Sequence, residues 1–497
     1  MAKNDVDVLI VGAGLSGIGA AYHLQNKCPG KSYTILEARD AIGGTWDLFR
    51  YPGIRSDSDM HTLGYNFKPW TAQKAIADGP AILDYVRETA AENGIDNKIR
   101  YDHKVISASW DSAKALWTVT AVTAGEEIVF TARFLHMCSG YFRYDKGYMP
   151  DFPGLADFKG ELVHPQNWPE DLDYEGKSVL VVGSGATAMT LVPAMAETAG
   201  HVTMLQRSPT YVVSRPAEDK FANWMRRWLP PMVAYGLTRW RNVLFQLFFY
   251  DRSQKRPEKV KQILIDRVKE ELGPDYNVEK HFTPTYNPWD QRLCLVPDGD
   301  LFEAVKQKKA SVVTDHIDHF NETGVKLKSG DQLDADVIVS ATGLDLQFAG
   351  GVELSIDGEA VIPNELLSYR GCMISNIPNL LNVFGYTNAS WTLRADLTSE
   401  YLCRLINHMD KENFVEVRPI VKSAVEAEDF LDFSSGYVRR AVEKFPKRGT
   451  KAPWVLNQNY AKDIFLMRHG SLDDGALTFR RLHETIEHVA GLDVAAE

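Results

Sequence analysis

Two glycine-rich turns, each set between an apolar run and a small-residue run, constrain this chain more than any other feature. The first reads VDVLIVGAGLSGIGAAYHL at 6–24, with Gly12, Gly14 and Gly17, and is followed by YTILEAR at 33–39, which carries Glu37. The second reads KSVLVVGSGATAMTLVPAMA at 177–196, with Gly183, Gly185 and Ala188 in the three slots, and is followed by HVTMLQRS at 201–208. A strand that feeds a tight turn and then a helix leaves backbone N–H groups where a pyrophosphate can bind. An acid about twenty residues past the glycines can accept hydrogen bonds from ribose hydroxyls. Glu37 stands there in the first unit, whereas Gln206 and Arg207 stand there in the second. A carboxylate repels a 2′-phosphate; a guanidinium can bind it bidentately. The pair implies FAD on the first unit and NADPH on the second, with Thr187 and Ser208 as lesser contacts. The alternative is a ligand-free turn, with Arg207 a solvated charge.

A chain of 497 residues is too long for one hydrophobic core. Its net charge of −11 argues against a nucleic-acid partner. The five cysteines show no CxxC spacing, so neither a zinc site, nor any other metal site, nor a redox dithiol is expected. No stretch reaches the roughly eighteen apolar residues of a membrane span. The apolar N-terminus reads as a strand and not as a signal peptide, so a cytoplasmic protein is expected.

The segments 102–111 and 116–140 alternate apolar and polar residues, as strands of an antiparallel layer do. FLHMCSG (134–140) and ADVIVSATG (335–343) read as two similar strands ending in glycine turns. On that reading the chain leaves the first domain near Gly140 and returns near Ala341, with the second unit inserted between. The fold class expected is α/β, with two Rossmann-type domains and a helical insertion at about 216–288. The divisions expected are 1–145 and 335–425 for the FAD domain, 146–334 for the NADP domain and 426–497 for a helical or loop tail. The segment 148–176 is rich in Pro and Gly and reads as a linker. The aromatic insertion either packs on the body, lines a substrate tunnel, or touches a membrane through 221–250.

Two longer motifs flank these units. The linker carries Phe158, Gly160, His164 and Trp168 followed by Pro169, which is FxGxxxHxxxWP. Upstream lie Gly43-Gly44-Thr45-Trp46, Tyr51-Pro52-Gly53 and Asp57. Together these resemble the class B flavin monooxygenases and, within them, the Baeyer–Villiger monooxygenase family. The segments NPWDQRLCLVPDGDLF (287–302) and GYTNASWTLRADL (385–397) look closest to the ethionamide-activating branch.

The resemblance implies an NADPH- and dioxygen-dependent enzyme working through a C4a-peroxyflavin. Ketones would become esters or lactones, and thioethers sulfoxides. It maps the catalytic arginine onto Arg292, and the acid that positions it onto Asp57. Thr45, Trp46, Asp57 and Val105 join the cofactor-binding set. Arg292 could instead form a structural ion pair, and Asp57 could cap a loop. Many relatives carry Lys just before the catalytic arginine; this chain has Gln291, which leaves NADPH preference resting on Arg207. His164 and Trp168 read as parts of a hinge between domains, not as reacting groups. The rival functions are an N- or S-oxidising flavin monooxygenase without ketone activity, an NADPH-dependent flavin reductase or oxidase, and a flavin-binding sensor.

Overall fold

The computed structural model describes residues 4–291, 293–431, 433–482 and 484. The run Asp5–Val11 is buried on both faces from Asp7 onward, so it forms a central strand. It lies parallel to Tyr33–Leu36 on one side and to Glu126–Met137 on the other. The latter strand is twelve residues long, and its first half pairs antiparallel with Leu116–Thr123. That strand pairs in turn with Lys104–Asp111. Parallel core and antiparallel layer are thereby one nine-stranded sheet.

A second sheet of five parallel strands holds the second glycine turn. Its order is Ala310–Thr314, His201–Gln206, Ser178–Val182, Val337–Ser340 and Glu161–Val163. The fold is α/β with two Rossmann-type units, as the paired turns imply.

One expectation is corrected here. The strand within 335–343 does not rejoin the first sheet; Val337–Ser340 pairs with Ser178–Val182 and with Glu161–Val163. The physical reason is at the turn. A side chain on Gly183 would sit 2.3 Å from the Ala341 carbonyl oxygen, so this strand end closes the second turn. The chain crosses back only afterwards, and Glu353–Ile356 then pairs with Lys104–Asp111. The segment read as a linker also contributes structure, because Glu161–Val163 forms the edge of the second sheet.

The insertion is helical, with Lys220–Met225, Pro231–Lys255 and Pro257–Leu272. It is bracketed by the parallel pair Val212–Arg215 and Cys294–Pro297. The tail packs onto the first domain: Trp454, Tyr460, Met467 and Leu477 lie in the same core as Ile10 and Leu24.

His136 sits fully buried in the strand Glu126–Met137, between the Leu381 carbonyl and the Ser399 hydroxyl. Burial penalises the imidazolium and pushes the pKa down to about 4. The unfolded chain takes up this proton first, near pH 6.5. Stability is therefore complete above about pH 6.5 and declines as pH falls towards 4, by on the order of 3 kcal/mol. Denaturant midpoints measured across this window should show the decline, and His136→Gln should flatten it. Equal slopes for the two proteins would contradict the assignment.

Candidate active site

At the first turn, Gly12 has φ +103°, and a Cβ there would lie 2.6 Å from the Cys138 carbonyl oxygen. A Cβ on Gly17 would lie 1.9 Å from the Gly12 oxygen. The chain's own packing thus requires both glycines. Gly14 differs, since its Cβ would meet only ordinary contact, 3.6 Å from Gly44. It is the N-cap of Leu15–Lys27, and no side chain caps that helix. The first-turn amides are left for an anion, and the missing side chain clears its approach.

Glu37 follows the strand Tyr33–Leu36 and is buried. It accepts from the Ala13 amide at 2.7 Å and from the Arg39 amide at 3.0 Å. Burial raises its pKa, while these amides and the Arg39 charge oppose the rise. The carboxylate is thereby fixed beside the turn with both oxygens oriented.

A cavity of about 690 Å³ opens from this turn, within the usual range for small-molecule sites. It brings together Gly12, Gly14, Glu37 and Val105 with Thr45, Trp46 and Asp57. From the second unit it takes Ala186 and Thr187. The segment that carries Asp57 is pinned to that unit. Tyr51 is buried in the second domain's core, where burial raises its pKa and the neighbouring Thr190 and Thr187 oppose the rise. Gly53 has φ +76°, and a Cβ there would lie 2.6 Å from the Thr190 carbonyl oxygen. Arg55 pairs with Asp300. Asp57 lies within electrostatic reach of Tyr51. Arg292 lies outside the described residues. Its near neighbour Leu295 lines the cavity, and the Asp290 carbonyl accepts from the Ser434 amide at 3.0 Å.

At the second turn, Gly183 is fixed against Ala341, whereas a Cβ on Gly185 would meet nothing within 4 Å. Gly185 is the N-cap of Ala186–Met195, again with no side-chain cap. Gly183, Gly185, Arg207 and Ser208 stand outside the cavity lining. Gln206 is buried and donates to the His281 carbonyl at 2.7 Å and to Thr314 Oγ1 at 2.9 Å, so it serves the scaffold. Arg207 and Ser208 are exposed beyond it.

The linker motif builds structure. A Cβ on Gly160 would lie 2.4 Å from the Asp336 carbonyl oxygen, where the edge strand begins. Phe158 and Trp168 pack on two different cores of the second domain. His164 caps the turn Pro165–Asn167 by accepting from the Gln166 amide at 3.2 Å. Burial lowers its pKa against the backbone groups of Gly343 and Tyr148, so the ring is neutral at pH 7. None of the four lines the cavity.

Sequence reading missed three features. Asp47 is buried and pairs with three guanidiniums, Arg39 at 2.8 Å and Arg50 and Arg87 at 3.4 Å each. The Ser139 hydroxyl is buried beside the cavity with no hydrogen-bond partner among the described residues. Arg440, from the tail, stacks over Tyr148 at 3.4 Å and comes near Gly343, two residues past the strand end that closes the second turn. Its charge and that of Arg207 repel each other. No pattern in the tail signalled it.

These residues suit two dinucleotides. Each turn offers an uncapped helix N-terminus and one glycine that the protein's own packing leaves open. The first has a fixed acid and an orphaned buried hydroxyl; the second has two cations.

Comparison with known proteins agrees. The flavin-binding monooxygenase-like family matches residues 76–356, and the NAD(P)-binding Rossmann-like domain matches residues 10–73. The chain is 55% identical over 480 residues to the FAD-containing monooxygenase EthA of Mycobacterium tuberculosis, covering 96% of this chain and 98% of that one. It is 48% identical to the probable FAD-binding monooxygenase AlmA of Acinetobacter baylyi, covering 98% of each. Among solved structures, oxidized steroid monooxygenase bound to NADP superposes with a TM-score of 0.74 at 22% identity, covering 96% of this chain and all of that one. Cyclohexanone monooxygenase from Rhodococcus sp. Phi1 bound to NADP+ superposes with a TM-score of 0.73 at 20% identity, covering 96% and 99%. The shared fold and the extent of identity make this chain a member of the flavin-binding monooxygenase-like family.

Proposed function

We propose that the protein is an NADPH-dependent Baeyer–Villiger monooxygenase that also oxidises thioethers. The observation that carries this reading is the shared cavity, lined by Gly14 and Glu37 of one unit and Thr187 of the other. The names of similar proteins support it: FAD-containing monooxygenases among the relatives, and a cyclohexanone-bound monooxygenase among the structural neighbours. When bound, FAD reduced by NADPH would activate dioxygen. One oxygen atom would enter the bond between the carbonyl carbon and its migrating neighbour, and the other would leave as water. The hydride of NADPH and one proton supply the two electrons and both hydrogens of that water.

The chain's residues have defined parts in this reading. The amides after Gly14 and Gly185 bind the two pyrophosphates. Glu37 orients a ribose. Arg207, with Arg440 beside it, meets the NADPH phosphates, and two repelling guanidiniums gain most when an anion lies between them. Asp57 orients the Arg292 cation, which stabilises the oxyanion formed on the substrate carbonyl. Apolar walls such as Leu295, Leu344 and Phe433 exclude water from the cavity.

Several variants separate these parts. Gly14→Ala should fold normally and lose bound FAD; Gly185→Ala should keep FAD and lose NADP+ binding. Retention of both nucleotides by both variants, read from flavin absorbance and calorimetry, would contradict the site. Arg207→Ala and Arg440→Ala should each raise KM for NADPH by about tenfold or more. Arg207→Ala should change KM for NADH much less, and an equal change would refute the phosphate contact. Asp57→Ala should lower ketone oxidation by about ten- to hundredfold while NADPH still reduces the flavin. The reading itself is tested by supplying a ketone and a thioether in parallel under isotopically labelled dioxygen. Label should enter both products; sulfoxide alone would leave an S-oxidising enzyme.

A further inference from the structure

The helix Pro231–Lys255 has two apolar faces. Its inner face is buried against the first domain. The Tyr235 hydroxyl donates to the Tyr65 carbonyl at 2.9 Å, and Arg239 donates to the His61 and Gly64 carbonyls at 2.8 Å each. Val233, Leu237, Trp240, Leu244 and Phe248 follow one another at three- and four-residue steps on the other side, and all five are exposed. The preceding helix, Lys220–Met225, and the turn after it extend this face with Phe221, Trp224 and Trp228. Trp228 is 74% exposed and Phe248 64%. Among the described residues sixteen large hydrophobics are exposed, and ten of them lie between 221 and 248. Soluble monomers rarely leave so concentrated a patch uncovered.

Charge indicates what covers it. Between 220 and 261 the sequence holds ten Lys and Arg against two Asp and Glu, in a chain whose net charge is −11. Lys220, Arg227, Lys255 and Arg256 are exposed at the ends of the patch. Arg215 lies over the Phe245 ring and Arg241 over the Phe221 ring, each at 4.5 Å, so cations also rim the exposed aromatics. A second copy would bring the same positive charge against this one. An anionic bilayer complements both features, because Trp and Phe enter the headgroup boundary while Lys and Arg meet lipid phosphates. No helix among the described residues is long and apolar enough to cross a membrane, so contact would lie along the surface.

We propose that this face, centred on Trp224, Trp228, Trp240, Leu244 and Phe248, docks the protein onto an anionic phospholipid bilayer. The inner side of the same helix reaches the cavity loop: Asn242 donates to Asp59 Oδ1 at 2.9 Å, two residues from Asp57. Docking therefore places the cavity loop one helix diameter from the lipid surface. The proposal needs no step of the reaction.

The test is flotation of the full-length, flavin-loaded protein with phosphatidylcholine vesicles, with and without phosphatidylglycerol. Binding should be about tenfold tighter to the anionic vesicles and should weaken as salt is raised. The triple variant Trp224→Ser, Trp228→Ser, Phe248→Ser should lose flotation while keeping its circular dichroism spectrum and flavin content. Absence of flotation for the unaltered protein would overturn the proposal, as would equal flotation of the variant. If the triple change instead converts a dimer to a monomer in sedimentation velocity and leaves flotation unaltered, the face is a contact between copies and the proposal is wrong.

Discussion

Both halves of this molecule depend on the same close contact of backbone with backbone. In the first unit Gly12 presses on the Cys138 carbonyl; in the second Gly183 presses on the Ala341 carbonyl. Each contact joins the turn after a central strand to the end of the strand beside it, Glu126–Met137 in one sheet and Val337–Ser340 in the other. A methyl group at either glycine would collide with main chain, which cannot move without shifting a whole strand. These contacts set where each crossover helix begins, and so where its free amides lie. Gly14 and Gly185, the glycines that packing does not require, stand at those helix starts.

The two units become one site because a single segment bridges them. Tyr51 is buried in the second domain's core, Gly53 lies against the helix Ala186–Met195, and Arg55 pairs with Asp300. The chain then turns back through Asp57 to the cavity and caps Met60–Leu63 with Asp59. The Tyr51-Pro52-Gly53 element is in this sense a latch between domains. The linker motif acts at the other crossing, where Gly160 starts the edge strand and His164 packs against Gly147. Neither motif needs to touch the reacting atoms to matter for geometry.

Much of this was legible in the residues. Apolar runs ending in spaced glycines located both strands, both turns and the acid at Glu37, because each is a local requirement of the chain. Choices of partner were less legible. The strand at 337–340 is as apolar as 134–137, and only pairing assigns it to the second sheet. Gln206 occupied the diagnostic position, yet its side chain is spent on His281 and Thr314, contacts more than seventy residues away in sequence. Arg440 comes within electrostatic reach of Arg207 from a tail with no motif. In Pro231–Lys255 apolar residues occupy both faces, so periodicity could not tell the packed face from the exposed one.

On the function proposed above, two nucleotides meet across one cavity and electrons pass from the second unit to the first. This transfer is tested most directly by mixing flavin-loaded protein with NADPH in the absence of oxygen and following flavin absorbance. The bound flavin should bleach in a phase whose rate saturates with NADPH, with no other protein present. Flavin that stays oxidised, or that bleaches only when a separate reductase is added, would contradict the account.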